Sequence, residues 1–174
     1  MKLFKNIICT AICLLLALAL VGCFEDTPKK ETNSVTSTPV TETKDEVFAL
    51  NETAVFENLK ITATEIKESK GSSFLNPEAG NVFIGVNFTI ENISNEEQAI
   101  SSLLLFDAYA DDVSCEYSIT GATDFKKTVD GTIAAGKKII GWYVVEAPEN
   151  WQKLELDVKS EWLSSVNARF EFTK

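Results

Sequence analysis

The sequence predicts an all-β domain built as an antiparallel β-sandwich, and three observations support that prediction. The clearest is the stretch at residues 82–92, where apolar residues alternate with other types at a period of two. Further short apolar runs follow at regular intervals, with turn-forming residues between them. Hydrophobic residues make up 45% of the chain, which is enough to build a core. Short strands at such spacing favour a sandwich.

The N-terminal stretch has the pattern of a secretory signal. Lys2 and Lys5 precede an almost wholly apolar run at residues 7–21. The run is shorter than the roughly 20 apolar residues that a membrane-spanning helix usually needs. We therefore predict a cleaved signal peptide over residues 1–22, with an uncleaved signal anchor as the alternative.

The apolar run ends in Leu20-Val21-Gly22-Cys23. This resembles the lipobox of bacterial lipoproteins, in which Leu lies three residues before the Cys and a small residue directly precedes it. The Cys23 thiol can be alkylated by a diacylglyceryl group, and small Gly22 gives a peptidase access to the bond that it cuts. Two acyl chains hold a protein at a bilayer. We expect lipidation of Cys23 and a location on the extracytoplasmic face of the cell membrane.

Residues 23–46 are predicted to form a flexible linker that follows the lipidated Cys23. Thr, Ser, Glu, Lys and Pro dominate this stretch, and apolar periodicity is missing. Such a composition cannot bury enough apolar surface to fold, and it is typical of spacers. The linker would lift the folded domain, predicted over residues 47–174, clear of the headgroups.

The folded domain is predicted to contain about seven to nine strands. The main strands are expected at 59–68, 82–92, 100–110, 113–117, 138–146, 154–158 and 168–172, with short paired edge segments at 47–50 and 53–56.

Two segments of the domain lack the period-two pattern of a strand. Residues 103–106 are continuously apolar, so they fit a short helix as well as a strand, and we favour a strand. Residues 121–130 are polar and are predicted to be a loop that crosses between sheets.

Charge and composition exclude several classes of function. The chain has 16 Lys and Arg against 26 Asp and Glu, a formal net charge of −10, so we expect no binding to nucleic acid phosphates. It has no His, which removes Ser-His and Cys-His dyads and His-ligated zinc. Nucleophile motifs and phosphate-binding glycine loops are also missing. We predict that the protein is not an enzyme and needs no cofactor.

An acidic turn is a candidate for a metal site. Asp111, Asp112 and Glu116, together with Asp107, lie close in sequence, and carboxylate oxygens are the ligands that calcium prefers. The spacing is not that of an EF-hand, and Asp-rich turns are common on surfaces. We favour a solvated tight turn at Asp111-Asp112.

The aromatic residues and the remaining cysteine have mainly structural interpretations. Trp142 is expected in the core, whereas Trp151 follows a turn after Pro148 and is the weak candidate for an exposed binding residue. Signal cleavage and lipidation leave Cys115 as the remaining cysteine. With no His to activate its thiol, we interpret Cys115 as a small core residue.

Three short motifs carry a resemblance to a known family: Gly-Asn-Val-Phe-Ile at 80–84 with Ile-Glu-Asn at 90–92, Gly-Lys-Lys-Ile-Ile-Gly-Trp at 136–142, and Val-Glu-Ala-Pro at 145–148. With them, residues 46–159 resemble the extracellular domain of unknown function 4352. The resemblance implies an immunoglobulin-like sandwich, similar in fold to a secreted mycobacterial antigen, often carried by lipobox-plus-linker proteins. It implies no catalytic residues.

These observations lead to two hypotheses of function. The first is a membrane-anchored, non-catalytic binding or accessory module, with the bilayer contacted through acylated Cys23 and an envelope or extracellular protein as partner. The alternative is a surface lipoprotein that binds a small ligand or a metal ion. Fold alone does not decide between them.

Overall fold

The computed structural model describes residues 29–30, 46–72, 74–159 and 167–174. The predicted signal peptide, Cys23 and most of the predicted linker lie outside these described residues.

The described strands are β1 (Lys29–Lys30), β2 (Val47–Phe48), β3 (Thr53–Val55), β4 (Leu59–Ser69), β5 (Asn81–Asn92), β6 (Gln98–Ile100), β7 (Phe106–Ala110), β8 (Val113–Cys115), β9 (Gly131–Ile133), β10 (Lys138–Pro148), β11 (Lys153–Lys159) and β12 (Asn167–Thr173). The described helices are α1 (Ser102–Leu105) and α2 (Ile119–Phe125). No helix among the described residues is long and apolar enough to cross a membrane.

The strands form two main sheets. Sheet A has the order β1-β3-β4-β5-β10, sheet B has the order β2-β12-β11-β7-β8, and β6 pairs with β9 in a short ribbon. Within the described part of the chain this gives twelve strands, more than the seven to nine expected. Six of them are only two or three residues long, too short for periodicity to reveal. The predicted β-sandwich is confirmed.

The core lies between the inner faces of the two sheets. Sheet A contributes alternating residues of β5, such as Ile84 and Phe88, and sheet B contributes residues such as Leu156 and Phe170. The rings of Phe88 and Phe170 meet edge to face, with centroids 5.5 Å apart, so they join the two sheets directly. The period-two pattern at residues 82–92 therefore marks β5 correctly as a strand with one face in the core.

The other face of β5 is also covered, although a period-two pattern usually indicates a strand with one face toward water. Residues 121–130 were predicted to be a loop, but α2 occupies part of that segment and covers this face. Phe83, Val144 and Ala122 form a second, smaller core beneath the helix. The prediction was wrong for residues 121–125, because α2 is short and buries only a few small residues, whereas residues 126–130 belong to no helix or strand, as predicted.

The segment at residues 100–110 combines both structures that the sequence allowed. Ser102–Leu105 is one turn of helix, and Phe106–Ala110 is a strand of sheet B. Leu103 and Leu104 are exposed at the helical turn, so these two apolar residues do not join the core. The preference for a continuous strand was therefore wrong for the first half of the segment.

The two N-terminal edge segments do not pair with each other as expected. β2 runs parallel to β12 in sheet B, whereas β3 is antiparallel to β4 in sheet A. The chain thus crosses from one sheet to the other at the turn around Asn51, which has a φ of 68°. Two residues from the predicted flexible linker also join the fold, since β1 pairs antiparallel with β3 at the edge of sheet A.

Candidate functional site

A shallow depression on the outer face of sheet A is the best candidate for a binding site. It has a volume of about 350 Å³ and is open to solvent. Its lining comes from the end of β4, the end of α2 and the middle of β10; the residues are Lys67, Glu68, Ser69, Asp124, Phe125 and Trp142. We call this feature the α2 depression.

A β-bulge places the β4 side chains at the depression. The pairing of β4 with β5 shifts between Ala63 and Glu65, so the inward and outward positions exchange along β4. Before the bulge the inward residues include Ala63, and after it Ile66 packs on the core. Lys67 and Ser69 therefore point to the outer face, where α2 lies.

Helix α2 begins with a polar cap and is seated by close contacts. The Ser118 hydroxyl accepts a hydrogen bond of 3.0 Å from the Gly121 backbone amide, as an N-cap residue does. A side chain at Gly121 would collide with Phe83 and Val144, since an added Cβ would lie 2.8 Å from each. The small residue lets the helix approach the sheet closely.

An aromatic pair forms the apolar wall of the depression. The Phe125 ring lies directly over Gly85 of β5, where an added Cβ would be 2.4 Å from a ring carbon. Phe125 packs against Trp142, with ring centroids 5.0 Å apart, and the Lys67 ammonium lies 5.4 Å from the Trp142 ring centroid. The wall thus offers half-buried aromatic surface beside a positive charge.

Polar groups fix the opposite side of the depression. The Ser69 hydroxyl donates a short hydrogen bond to Asp124 Oδ2 and accepts one of 3.0 Å from the Gly71 amide. These bonds tie the end of β4 to the end of α2. Lys67 also pairs with Glu65 at 2.7 Å, so the charges at the rim alternate in sign.

Glu68 also lines the depression, and its carboxylate already accepts two hydrogen bonds. It accepts hydrogen bonds from Trp151 Nε1 at 2.6 Å and from Lys174 Nζ at 2.7 Å. The hydrogen bond from Lys174 holds the pKa of Glu68 below its ordinary value. Glu68 therefore stays ionised near neutral pH and is poorly suited to act as a general acid. The arrangement suits binding better than proton transfer.

Trp151 is not the exposed binding residue that the sequence suggested. It is 3% exposed, and it belongs to the main core. The turn after Pro148 folds the side chain inward, where Glu68 satisfies the indole N–H and Lys174 lies 5.4 Å from the ring centroid. Trp142, which was expected in the core, is instead half-buried on the outer face and lines the depression.

The acidic turn does not gather its carboxylates around one point. Asp111 accepts hydrogen bonds from the backbone amides of Gln152 and Lys153, and Asp112 pairs with Lys153 Nζ at 3.0 Å. Glu116 is exposed. Across the described ranges, no group of three His, Cys, Asp or Glu residues is placed to hold a metal ion. The geometry therefore does not support the weak metal candidates, although the predicted tight turn is present, with φ of 49° and 66° at the two aspartates.

The remaining candidates from the sequence are the two cysteines, Cys115 and Cys23. Cys115 is a free thiol of intermediate burial, and burial raises its pKa, which makes it a poor nucleophile. Cys23 lies outside the described residues.

The sequence reasoning missed Lys67, Asp124 and Phe125, although Gly85 inside a strand is the kind of signal that marks a close approach of another group.

Comparison with known proteins identifies the family. Residues 48–169 match the model of a family described as Domain of unknown function (DUF4352). A comparison with curated protein sequences found no match.

Three solved bacterial structures share the fold. The predicted lipoprotein ycdA of Bacillus subtilis has a TM-score of 0.57 at 15% identity, covering 67% of this chain but only 37% of its own length. An uncharacterised β-sandwich protein of Clostridium difficile has a TM-score of 0.52 at 16% identity, covering 79% of this chain and 100% of its own. A conserved hypothetical protein of Bacillus anthracis has a TM-score of 0.51 at 17% identity, covering 70% and 94%.

The structural likeness rests on low identity and so concerns the fold. The family match covers most of the folded part of the chain and includes the strands that carry the α2 depression. This chain therefore belongs to the DUF4352 family of β-sandwich domains.

Proposed function

We propose that this protein is a lipoprotein, anchored through Cys23 to the extracytoplasmic face of the cell membrane. The lipobox residues Leu20, Gly22 and Cys23 carry the proposal, and the fold shared with a predicted lipoprotein supports it. Cys23 Sγ forms a thioether bond to a diacylglyceryl group from a phospholipid, and the displaced headgroup phosphate takes the thiol proton. Water then hydrolyses the peptide bond between Gly22 and Cys23.

Substitution of Cys23 by Ala tests the anchor. In the unaltered full-length protein we expect the mature chain to fractionate with membranes, whereas Cys23→Ala removes the acyl acceptor and should leave an unprocessed or released chain. Cys115→Ala is the matched control, because it removes another cysteine without touching the lipobox. An unchanged distribution and mass of Cys23→Ala would contradict the proposal.

The folded domain is proposed to be a non-catalytic binding module that contacts an envelope or extracellular protein. The α2 depression is the main observation that supports this binding role. Aromatic side chains with a neighbouring charge, half-buried and open to solvent, are typical of the centres of protein interfaces. Glu68 and Asp124, the carboxylates that line the depression, already accept hydrogen bonds, and the chain has no His to share a proton.

Site-specific photo-crosslinking in cells tests the binding role. A photo-reactive residue at Thr123, which is exposed on α2 beside the depression, should give one discrete cross-linked protein, and the same residue at exposed Glu97 should not. Trp142→Ala should reduce that product at least tenfold, while Phe74→Ala, which alters an exposed aromatic residue elsewhere, should not. Equal products from both positions, or a product indifferent to Trp142→Ala, would count against the depression as the contact.

Binding of a small ligand is the second candidate, and the size of the depression favours it. A volume of about 350 Å³ is sufficient for a small molecule. If no Trp142-dependent protein product forms, the melting temperature of the protein should rise with a sugar, amino acid or nucleoside, and Trp142→Ala should abolish that rise. The acidic turn around Asp111 gives no comparable support to a metal ion.

A further inference from the structure

The first strand of sheet A lies very close in sequence to the proposed lipid anchor. Only residues 24–28 separate Cys23 from Lys29, the first residue of β1. The six residue spacings from Cys23 to Lys29 can span at most about 20 Å. If the folded domain were held only from Val47, the first residue of β2, the same chain could extend to about 80 Å. Pairing of β1 with β3 therefore shortens the tether about fourfold.

The register of β1 shows from which end of the sandwich the tether arrives. Lys29 is opposite Val55 and Lys30 is opposite Ala54, so the N-terminal end of β1 lies at Val55, beside the turn between β3 and β4. Val55 is paired with Lys60, Lys60 with Glu91, and Glu91 with Lys138. These residues form one row across sheet A, which we call the tether row. The tether therefore enters at the end of sheet A where β4 and β10 begin and β5 ends.

Hydrogen bonds draw three turns together at that same end. The Ile93 amide donates to the Asn58 carbonyl at 2.9 Å, and the Asn92 amide donates to the Lys137 carbonyl at 2.9 Å. We call this surface the turn end; it contains residues 56–58, 93–97 and 134–137. It carries acidic residues such as Glu96 and Glu97 as well as Lys137, so charge alone gives no strong attraction to anionic headgroups.

The α2 depression lies toward the opposite end of sheet A. Lys67 is paired with Gly85, whereas the tether row crosses β5 at Glu91, six residues away. At the usual rise of a strand this separates the two by about 20 Å. The loop between β4 and β5 lies beyond the depression, and its Phe74 is 94% exposed.

We propose that β1 holds the sandwich end-on above the bilayer, with the turn end facing the lipid and the α2 depression facing away from it. This inference rests on lipidation of Cys23, as proposed above. It implies that the partner of the depression approaches from the aqueous side. A partner embedded in the same membrane would not reach the site.

Energy transfer from the protein to labelled lipid tests this orientation. Full-length lipidated protein with Cys115→Ala is prepared in two forms, with a single donor dye on Ala135→Cys at the turn end or on Phe74→Cys at the far loop. Both native residues are exposed. Each form is bound to phosphatidylcholine–phosphatidylglycerol vesicles that carry a headgroup acceptor. We expect clearly greater transfer from position 135, because nine residue spacings along β4 separate the row at Lys60 from its end at Ser69, or about 30 Å.

Replacing both β1 residues by proline gives the decisive control. Lys29→Pro with Lys30→Pro removes both backbone donors of β1, so the strand should leave β3 and the tether should lengthen. The difference in transfer between positions 135 and 74 should then shrink. Equal transfer from the two positions in the unaltered tether would overturn the orientation, and an undiminished difference in the proline variant would overturn the role of β1. Failure of the unaltered protein to float with vesicles would instead overturn lipidation, and the orientation with it.

Discussion

Trp151 Nε1 donates a hydrogen bond of 2.6 Å to Glu68 Oε1, across 83 residues of sequence. The same oxygen of Glu68 pairs with Lys174, the last residue of the chain, whose ammonium also lies over the Trp151 ring. Glu68 belongs to sheet A, and Lys174 directly follows β12 of sheet B. This cluster therefore links sheet A to the chain that follows sheet B, beside the α2 depression that Glu68 also lines.

Two substitutions of Trp151 should separate the contributions of its hydrogen bond and of its packing to the stability of the fold. Trp151→Phe keeps most of the ring but loses the hydrogen bond to Glu68, which should lower the free energy of unfolding by about 1 kcal/mol. Trp151→Ala also opens a cavity in the core and should cost about 3–5 kcal/mol. Urea unfolding measures both. Phe74→Ala, at a position that is 94% exposed, should change stability by less than about 0.5 kcal/mol. A comparable loss in the control would show that the burial of Trp151 is not the cause.

The stability of the protein should depend on the ionisation of Glu68. Its pKa is lowered in the folded state, chiefly by the hydrogen bond from Lys174 and then by that from Trp151. A lowered folded pKa stabilises the protein above the unfolded value near 4.5, and this contribution is lost as pH falls through the folded pKa. Glu68→Gln should therefore reduce stability near pH 7 and flatten its decline below about pH 4.5. Parallel pH profiles of the two proteins would contradict this account.

Arg169 on the outer face of sheet B should be important for stability. It forms a two-pronged contact with Asp157, at 2.7 and 2.8 Å, and a third bond to Glu155 at 3.2 Å. The Asp157 and Glu155 side chains are only 12% and 10% exposed. In Arg169→Ala, Lys153 would still pair with Glu155 at 3.1 Å, but buried Asp157 would lose both hydrogen bonds from the guanidinium. We expect a loss of about 3 kcal/mol in chemical unfolding, with only partial recovery in Arg169→Lys.

An exposed ion pair provides the control for Arg169. Lys70 pairs with Glu149 where the side chains are 76% and 55% exposed. Lys70→Ala should lower the free energy of unfolding far less than Arg169→Ala does, because solvent screens such pairs. If Lys70→Ala and Arg169→Ala proved equally mild, the buried network would not hold sheet B as described.

Gly85 should be needed because Phe125 occupies the space where a side chain would project. Gly85→Ala should cost about 1–3 kcal/mol through overpacking against the ring. In a Phe125→Ala background the same substitution should be close to neutral, since the colliding ring is gone. A double-mutant cycle on unfolding free energies measures the coupling. Additive effects of the two substitutions would mean that α2 is not seated on β5 in the manner described.

The parts of the fold that could be predicted are those that local pattern determines. The alternation at residues 82–92 and the strong run at 138–146 correspond to β5 and β10, which pair along eleven residues, with β10 at the edge of sheet A. The turn at Asp111-Asp112 also follows from local chemistry, because Asp tolerates positive φ better than most residues.

The rest depends on contacts between residues that are distant in sequence. Trp151 follows a turn, a position usually exposed, but its ring packs into the main core and its N–H is satisfied by Glu68. The residues of the α2 depression span from Lys67 to Trp142, and one β-bulge is needed to place Lys67 and Ser69 on the outer face of β4. Helix α2 is too short for its periodicity to be detected, and its capping Ser118 is equally suited to a turn.

The mass of the N-terminal tryptic peptide of the mature protein shows whether the lipid anchor exists. The peptide should cover residues 23–29, and its first residue, Cys23, should carry the mass of a diacylglyceryl group. We expect this modified peptide to be the main N-terminal species in membranes of the native cells. A mature chain that begins at another residue, or an unmodified Cys23, would contradict the lipid anchor and every functional conclusion drawn from it.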